Sequence, residues 1–474
     1  MAEYKTPGVY IEEIPHLPPS IASVETAIPV FIGYTELAKW KQPEDLRNTP
    51  RRIESMLQYE TYFGKAEPEK QGLEVVFDNS GSNLDVRASA DPKLRSKYLM
   101  YYSLQMFFIN GGGPCWIVSI GDYEKTAGVI GDDDLARGLE KIKKIDEITL
   151  IVFPDAVNLA KAATYYSLYS QAITQCHDLQ DRFVVMDVYH DINNEANGED
   201  DWSADIEFLR SNLAGTTDFL KYAAVYFPWI YTNIDFAVNE ATVKITSKNA
   251  GELPPTLAEL QAKNNAYYNM AKGAVRDLEM LLPAAAAVVG VYARVDESRG
   301  VWKAPAHENI NNTTRTKTLI TNEEQKGLNV DAQEGKSVNV IRSFPGKGQA
   351  IIWGARTLAG NDNEWRYVPV RRYFNMVEES VKNATGQFVF EPNDENTWVR
   401  VKSMIANYLT QQWKAGALQG ASVKEAFFVH IGLGETMTEL DLWEGRLIIE
   451  IGMAVVRPAE FIILRFMHKM LAES

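Results

Sequence analysis

Short apolar segments alternate with helical segments over residues 26–282, and this alternation constrains the fold more than any other feature. The strand-like segments are residues 28–34, 115–120, 148–153, 183–188 and 222–227. Strands that alternate with helices through short connections are typical of a parallel or mixed sheet covered by helices. We therefore predict an α/β fold for this region. The segment 72–92 is polar and contains Gly, Ser and Asp, which predicts a surface loop.

The remaining residues, 283–474, show a second mixture of helices and strands. Pro283 precedes a run of small residues that suits a closely packed helix. Two strand candidates, 337–342 and 349–353, flank a Pro-Gly turn, and helices are predicted at 371–384 and 397–413. The sequence thus predicts a multi-domain α/β chain, with an N-terminal arm (1–25), a first α/β region (26–282) and a second unit (283–474).

The last predicted strands raise a physical problem. Residues 444–466 form two strand-like halves, which Arg457-Pro458 separates. In the first half, alternate residues from Leu447 to Val455 are apolar and share one face, and the second half is apolar nearly throughout. An unpaired apolar strand offers an open edge to other chains. We therefore expect either this domain or another subunit to cover it. Residues 8–14 form another short strand candidate between prolines, with a loose terminus as the alternative.

The charge and the longest apolar run disfavour two classes of partner. The chain contains 63 acidic and 48 basic residues, which gives a net charge of −15. Because a nucleic-acid surface needs a basic field, we predict no nucleic-acid partner. The longest apolar run, 281–293, is too short to span a bilayer, so no membrane insertion is predicted. Cys115 and Cys176 form no paired motif, and the first residues lack a signal-peptide pattern. Both observations lead us to expect assembly in a reducing cytoplasm.

Motifs for catalysis or cofactor binding are incomplete. Gly111-Gly112-Gly113-Pro114 has no following Gly-Lys-Ser/Thr, so it predicts a turn that enters a strand. The run 345–348 contains Lys347 but no Ser or Thr after it, and a hairpin turn fits better. His307-Glu308 lacks the second histidine of a zinc-binding helix. We therefore predict no catalytic residue and no cofactor, and a soluble α/β enzyme remains only as an alternative.

Two groups of carboxylates are the remaining candidates for a site. Asp132, Asp133 and Asp134 precede a helix, where acidic side chains suit the helix dipole, and calcium would require more oxygen ligands. Asp187 ends a predicted strand, a place where α/β enzymes carry catalytic carboxylates. Without a partner motif, we favour a cap or turn residue there. No metal site is predicted.

A series of motifs in a fixed order resembles a known family. The motifs are residues 4–13 (YKTPGVYIEE), 28–33 (IPVFIG), 110–118 (NGGGPCWIV), 292–306 (YARVDESRGVWKAPA), 339–342 (NVIR), 353–358 (WGARTL), 390–393 (FEPN), Trp398, 416–420 (GALQG) and 457–462 (RPAEFI). Together they resemble the contractile tail sheath family of phages, R-type pyocins and phage-tail-like injection systems. The terminal segment is most similar to the extracellular, antifeeding-prophage type. Residues 121–282 carry little of the resemblance.

The resemblance implies a core α/β domain formed by both chain ends, with the middle inserted as an outer α/β domain. It also implies strand exchange between subunits. The exchanged residues would be Val9, Tyr10, Ile11, Glu12, Phe461, Ile462, Ile463 and Leu464. The implied function is a structural subunit that polymerises around an inner tube, as stacked hexameric rings, and contracts to drive the tube through a target envelope. The implied partners are other copies of the chain, an inner tube protein, baseplate and terminal cap proteins, and sister sheath proteins. The implied location is a phage tail or a released phage-tail-like particle.

Two points stay open at the level of sequence. Arg400 and Lys402 on the predicted helix 397–413, and Lys414 directly after it, are candidate tube-facing cations, and an ordinary solvated basic face is the alternative. A static shell or filament protein would use the same exchanged strands without changing length.

Overall fold

The computed structural model describes residues 21–190 and 202–465. The chain forms two compact units, and neither is a continuous stretch of sequence. Of the described residues, the larger unit comprises 25–190, 202–376 and 457–465, and the smaller unit comprises 21–24 and 377–456. The chain therefore passes between the units three times.

The larger unit contains most of the secondary structure. Its strands are β1 (Pro29–Thr35), β2 (Arg51–Ile53), β3 (Leu73–Asp78), β4 (Asp85–Ala90), β5 (Cys115–Asp122), β6 (Leu150–Val152), β7 (Phe183–Asp187), β8 (Ala223–Phe227), β9 (Ile230–Thr232), β10 (Lys244–Lys248), β11 (Met280–Leu282), β12 (Glu308–Asn309), β13 (Thr313–Thr316), β14 (Asn339–Phe344) and β15 (Gly348–Ile352). Its helices are α1 (Met56–Phe63), α2 (Met100–Ile109), α3 (Tyr123–Thr126), α4 (Asp132–Lys141), α5 (Ala162–Leu179), α6 (Trp202–Asn212), α7 (Thr217–Leu220), α8 (Leu257–Lys263), α9 (Asn265–Arg276), α10 (Ala285–Arg299) and α11 (Asn322–Asn329). Helix α12 (Val368–Thr385) begins in this unit and ends in the smaller one.

A nine-stranded sheet organises the larger unit, in the order β12-β15-β14-β8-β7-β6-β1-β5-β2. The strands from β14 to β5 in this order are parallel. Every residue of β1 is buried, as expected for a parallel strand covered on both faces. The predicted α/β class is confirmed.

The predicted boundary at residue 282 does not coincide with the division into units. Strand β14 lies beyond that boundary, yet Asn339 of β14 pairs with Tyr226 of β8 in the same sheet. Residues 283–376 therefore share a hydrophobic core with the region before them. That residues 26–282 form a separate outer domain in an assembly stays a prediction.

The segment 72–92 is not a surface loop, as the sequence had led us to expect. It forms the hairpin β3–β4, which pairs with β10 in a three-stranded sheet. Leu73, Val75 and Phe77 alternate with more exposed residues and pack into a small core under helices α8 and α9. The alternation within LEVVFD was the missed signal, because it is short and is followed by the polar turn 79–84 and the largely polar or small residues of β4.

Two buried aspartates cap helices beside the central sheet. Asp155 accepts hydrogen bonds from the backbone N–H groups of Leu99 and Met100, at 2.5 and 3.1 Å, at the start of α2. Asp187 accepts from those of Ala284 and Ala285, at 2.7 and 3.0 Å, at the start of α10. Burial raises the pKa of each carboxyl to about 7, although these hydrogen bonds oppose the rise. The structure thus gives Asp187 the capping role favoured above.

An ion pair ties together the two places where the chain enters and leaves the larger unit. Near the entry, the Thr26 hydroxyl donates to Asp296 Oδ2 at 2.6 Å. Near the exit, Arg372 in α12 donates to the same Oδ2 at 2.5 Å and to the Thr26 carbonyl at 2.9 Å. Arg372 and Asp296 are both buried side chains, so this pair is held away from water.

The smaller unit is a helical layer with a two-stranded sheet. Its elements are α13 (Glu395–Lys414), α14 (Val423–Ala426), β16 (Phe427–His430), α15 (Glu439–Trp443) and β17 (Glu450–Met453). Val401, Ile405 and Leu409 bury one side of α13 at helical spacing. Residues 21–24 belong to this unit, where the Val24 N–H donates to Ser380 Oγ at 3.0 Å.

Candidate inter-subunit surfaces

Strands β16 and β17 form a sheet with open edges. They pair antiparallel, with Phe427 opposite Met453 and His430 opposite Glu450. Among the described residues, no further strand joins this sheet. A two-stranded sheet is at best marginally stable alone, and its outer edges carry unpaired N–H and C=O groups. The sheet is therefore a candidate acceptor for strands from other chains.

The acceptor sheet is shorter than the sequence predicted. Of the predicted strand over 444–455, only Glu450–Met453 forms the ladder, and Val455 adds an isolated bridge to Leu418. The predicted alternation is visible in part, because Leu447 and Ile449 are less exposed than Ile448 and Glu450. Phe428 lies over Gly452 on one face, where any larger residue would collide with its ring.

The terminal segment, residues 461–464, exposes four consecutive apolar side chains. Phe461, Ile462, Ile463 and Leu464 are 68%, 81%, 77% and 72% exposed, and no strand ladder includes them. Runs of three or more exposed apolar residues are errors in a soluble surface unless they have a function. The strand predicted here does not form within the single chain, and the segment is a candidate donor.

Glu460 fixes the start of the terminal segment to the larger unit. Its carboxylate accepts hydrogen bonds from Arg356, with Nη2 at 2.6 Å from Oε2 and Nε at 2.9 Å from Oε1. Asn329 Nδ2 donates at 2.8 Å and the Tyr367 hydroxyl at 3.2 Å. Burial alone would raise the pKa of Glu460, but the hydrogen bonds from Arg356 and Asn329 outweigh it, and the pKa is lowered. Both Arg356 and Glu460 lie in motifs quoted above, yet nothing in the sequence pairs them.

An apolar groove lies beside the residues that precede β17. Leu447 and Ile449 line it together with Val401 and the loop that includes Phe388 and Phe390, and its volume is about 580 Å³. Phe390 is fully exposed and has a φ of 72°, an unusual conformation for an aromatic residue. Strain of this kind is often found at functional surfaces. Phe390 belongs to the sequence motif FEPN, but nothing in the sequence predicts the groove.

The three predicted tube-facing cations do not share one face. At about 100° per residue, Arg400 and Lys414 lie about 40° apart around α13, whereas Lys402 lies about 160° from Arg400. Arg400 and Lys414 are exposed, with the Arg400 guanidinium 5.3 Å from the centre of the Phe388 ring. The Lys402 ammonium instead lies 3.9 Å from the carboxylate of Glu435. The structure therefore groups Arg400 with Lys414 and separates Lys402 from them.

Some predicted site residues lie outside the description. Val9, Tyr10, Ile11 and Glu12 belong to the part of the chain before residue 21, which the structure does not describe. Within residues 21–190 and 202–465, no cluster of three or more His, Cys, Asp or Glu could hold a metal ion. In the same ranges, no helix has the length and apolar character needed to cross a membrane.

Solved structures decide the family. The anti-feeding prophage helical sheath in its contracted state is 30% identical to this chain. The alignment covers 98% of this chain and 100% of that one, with a TM-score of 0.65. The chain belongs to the contractile tail sheath family. This confirms the resemblance found in the sequence. The sheath of the extracellular contractile injection system PVC, also contracted, is 29% identical over 99% of both chains, with a TM-score of 0.62.

Other comparisons agree with this assignment for parts of the sheath chain. Residues 360–468 match the phage tail sheath C-terminal domain. Tail sheath proteins of Vibrio phage KVP40 and Enterobacteria phage T4 are 28% and 26% identical over 134 and 133 residues. Those alignments span only 20% of each phage protein. A chain of the anti-feeding prophage baseplate is 30% identical over 98% of this sheath chain, with a TM-score of 0.61.

Proposed function

We propose that this chain is the structural subunit of a contractile sheath, which polymerises helically around an inner tube. Contraction then drives the tube through a target envelope, without catalysis by the subunit. One observation carries the proposal: the chain presents an acceptor sheet with open edges and an exposed apolar donor segment. Sheath similarity over nearly the whole chain supports the same conclusion.

The joint between subunits is strand addition, in which the terminal segment of one copy pairs with the open sheet of the next. The predicted N-terminal strand, which includes Val9 to Glu12, would add to the same mesh. Each backbone hydrogen bond contributes roughly 0.5–1.5 kcal/mol net, and the burial of alternate apolar side chains adds to it. The sheet edge together with the neighbouring groove forms the recipient surface.

Tube contact is proposed for one face of α13. From residue 396 to residue 414 this helix contains no acidic residue, although the chain as a whole is strongly acidic. Arg400 and Lys414 are the exposed cations of that face, and an acidic tube surface would complement them. Charge reversal of both residues should impair assembly around the tube more than reversal of Lys402. Equal effects would contradict the assignment of this face.

Further partners are proposed on family grounds. Baseplate contact is supported by the similar chain in the anti-feeding prophage baseplate. A terminal cap protein, sister sheath proteins and assembly in the bacterial cytoplasm are inferred from the family in the same way. The particle would be a phage tail or a released phage-tail-like particle.

Electron microscopy of the assembled protein tests the function. We expect helical sheaths with an extended and a shorter, contracted length, the second appearing after mild denaturant. Polymers of one fixed length under all conditions would identify a static shell or filament instead. Deletion of residues 459–474 should leave a folded subunit that does not polymerise, and sheaths formed by this variant would refute the terminal joint.

A further inference from the structure

The residue that precedes the exposed terminal segment is bound more tightly than an ordinary surface carboxylate. Five hydrogen bonds converge on Glu460, and Arg356 supplies three of them. The Arg356 side chain is only 3% exposed. The exposed pair of Lys326 and Glu323 elsewhere in the larger unit has both side chains at least 70% exposed. Exposed pairs contribute little to stability, whereas the loss of one partner from a buried pair is costly.

Arg356 in turn is held by the central sheet. Its Nη1 donates to the carbonyls of Asn329 and Gly360, each at 3.2 Å. Its backbone N–H donates to Asn339 Oδ1 at 2.7 Å, and Asn339 lies in β14. The Asn339 amide donates to the Val225 carbonyl of β8 at 3.1 Å. A continuous set of hydrogen bonds therefore leads from Glu460 to two neighbouring strands of the nine-stranded sheet.

We propose that Glu460 and Arg356 form the mechanical anchor of the donor strand. This inference rests on the proposed function, because it requires the segment after Glu460 to dock on a neighbour. The anchor makes Phe461 the first residue free to leave the subunit. Tension on the docked strand then acts on the central sheet, instead of peeling residues 457–460 away from the larger unit.

The anchor also sets the register of the docked strand. Side chains of a strand alternate between faces, so a slip by one residue would move every apolar side chain to the wrong face. A run of four similar apolar residues carries little register information of its own. A fixed point directly before Phe461 supplies that information, because the length of chain available to reach the acceptor sheet is then constant.

The test compares Glu460→Gln with the matched control Glu297→Gln. Both remove one negative charge, and Glu297 is an exposed residue of α10. Wild type and the control should polymerise at the same protein concentration. Glu460→Gln should need a concentration about tenfold higher, the expected effect of losing one charge-assisted hydrogen-bonded pair. In its sheaths, the backbone amides of Arg457, Ala459 and Glu460 should exchange hydrogen faster than in wild type.

A second variant keeps the test decisive if Glu460→Gln fails to fold. Tyr367→Phe removes only the hydroxyl bond to Glu460 and should raise the required concentration by a few fold. Wild-type polymerisation and wild-type exchange in both variants would overturn the anchor. If the deletion of residues 459–474 also polymerises, the proposed joint itself is wrong. If the deletion abolishes polymers while the variants behave as wild type, only the anchor is wrong.

Discussion

Strand addition predicts that the two faces of the terminal segment differ in importance. In an extended strand Phe461 and Ile463 share one face, and Ile462 and Leu464 share the other. A strand added to a half-buried sheet buries one face only. We therefore compare two double variants, in which either the first pair or the second pair is replaced by serine. One double variant should lose polymerisation and the other should retain most of it.

The structure sets the size of the effect. The four side chains are 68% to 81% exposed in the single chain, so most of their surface remains to be buried on docking. Full burial of such a side chain is worth roughly 1.5–3 kcal/mol. The inward pair therefore contributes roughly 2–4 kcal/mol, which corresponds to about a 30- to 700-fold change in the docking constant. Folding of the single subunit should change by less than about 0.5 kcal/mol, because the replaced side chains contact little.

Sedimentation velocity over a dilution series measures the concentration at which each double variant polymerises. Urea unfolding of the dilute subunits provides the control for folding. Equal losses in both variants would show that the segment is buried on all sides and is not an added edge strand. Wild-type behaviour of both would remove residues 461–464 from the joint.

Four substitutions or titrations check the fold and its charges. Arg182→Met should cost about 3–5 kcal/mol in urea unfolding, because it leaves the buried carboxylate of Asp181 without the guanidinium that pairs with it. Gly290→Ala should cost about 1–3 kcal/mol in urea unfolding, since its Cβ would collide with the backbone carbonyl oxygen of Phe107 in α2. Burial raises the pKa of Asp155 to about 7, so its contribution to stability should fall as the pH rises through 7, and Asp155→Asn should remove this slope in urea unfolding. The pKa of Glu460 is lowered, so the terminal anchor should hold at neutral pH and weaken as the pH falls through that lowered pKa, which a side-chain carboxyl NMR titration would follow.

Local pattern was enough to predict the parallel sheet. Strands such as β1 and β7 are short, fully apolar and bounded by helices, so their type and order follow from the sequence. The turn over 345–348 also depends on near neighbours in sequence. The helix that Asp187 caps does not, because it begins 97 residues further along the chain. The hairpin β3–β4 was missed because both its turn and the polar, small residues of β4 hide the apolar alternation within β3.

Long-range pairings could not be predicted in the same way. Arg356 and Glu460 are far apart in sequence, and each motif gives no indication of the other. The opposite placement of Lys402 and Arg400 follows from the helical period alone, so that distinction was available from the sequence. The division into units was not available from the sequence, because it depends on which sheet residues 283–376 join.

Because the smaller unit is built from two separate parts of the chain, the order of translation determines when it can fold. The smaller unit can fold only when residues 377–456 have been translated, although residues 21–24 are translated much earlier. Residues 25–376 are translated in between. At about 5–20 residues per second, this interval is roughly 20 to 70 seconds, long enough for residues 25–376 to fold first. The open sheet of β16 and β17 is therefore created late, on a chain whose main body is already compact. The surface proposed to accept a neighbour's strand thus forms only after most of the subunit has been translated.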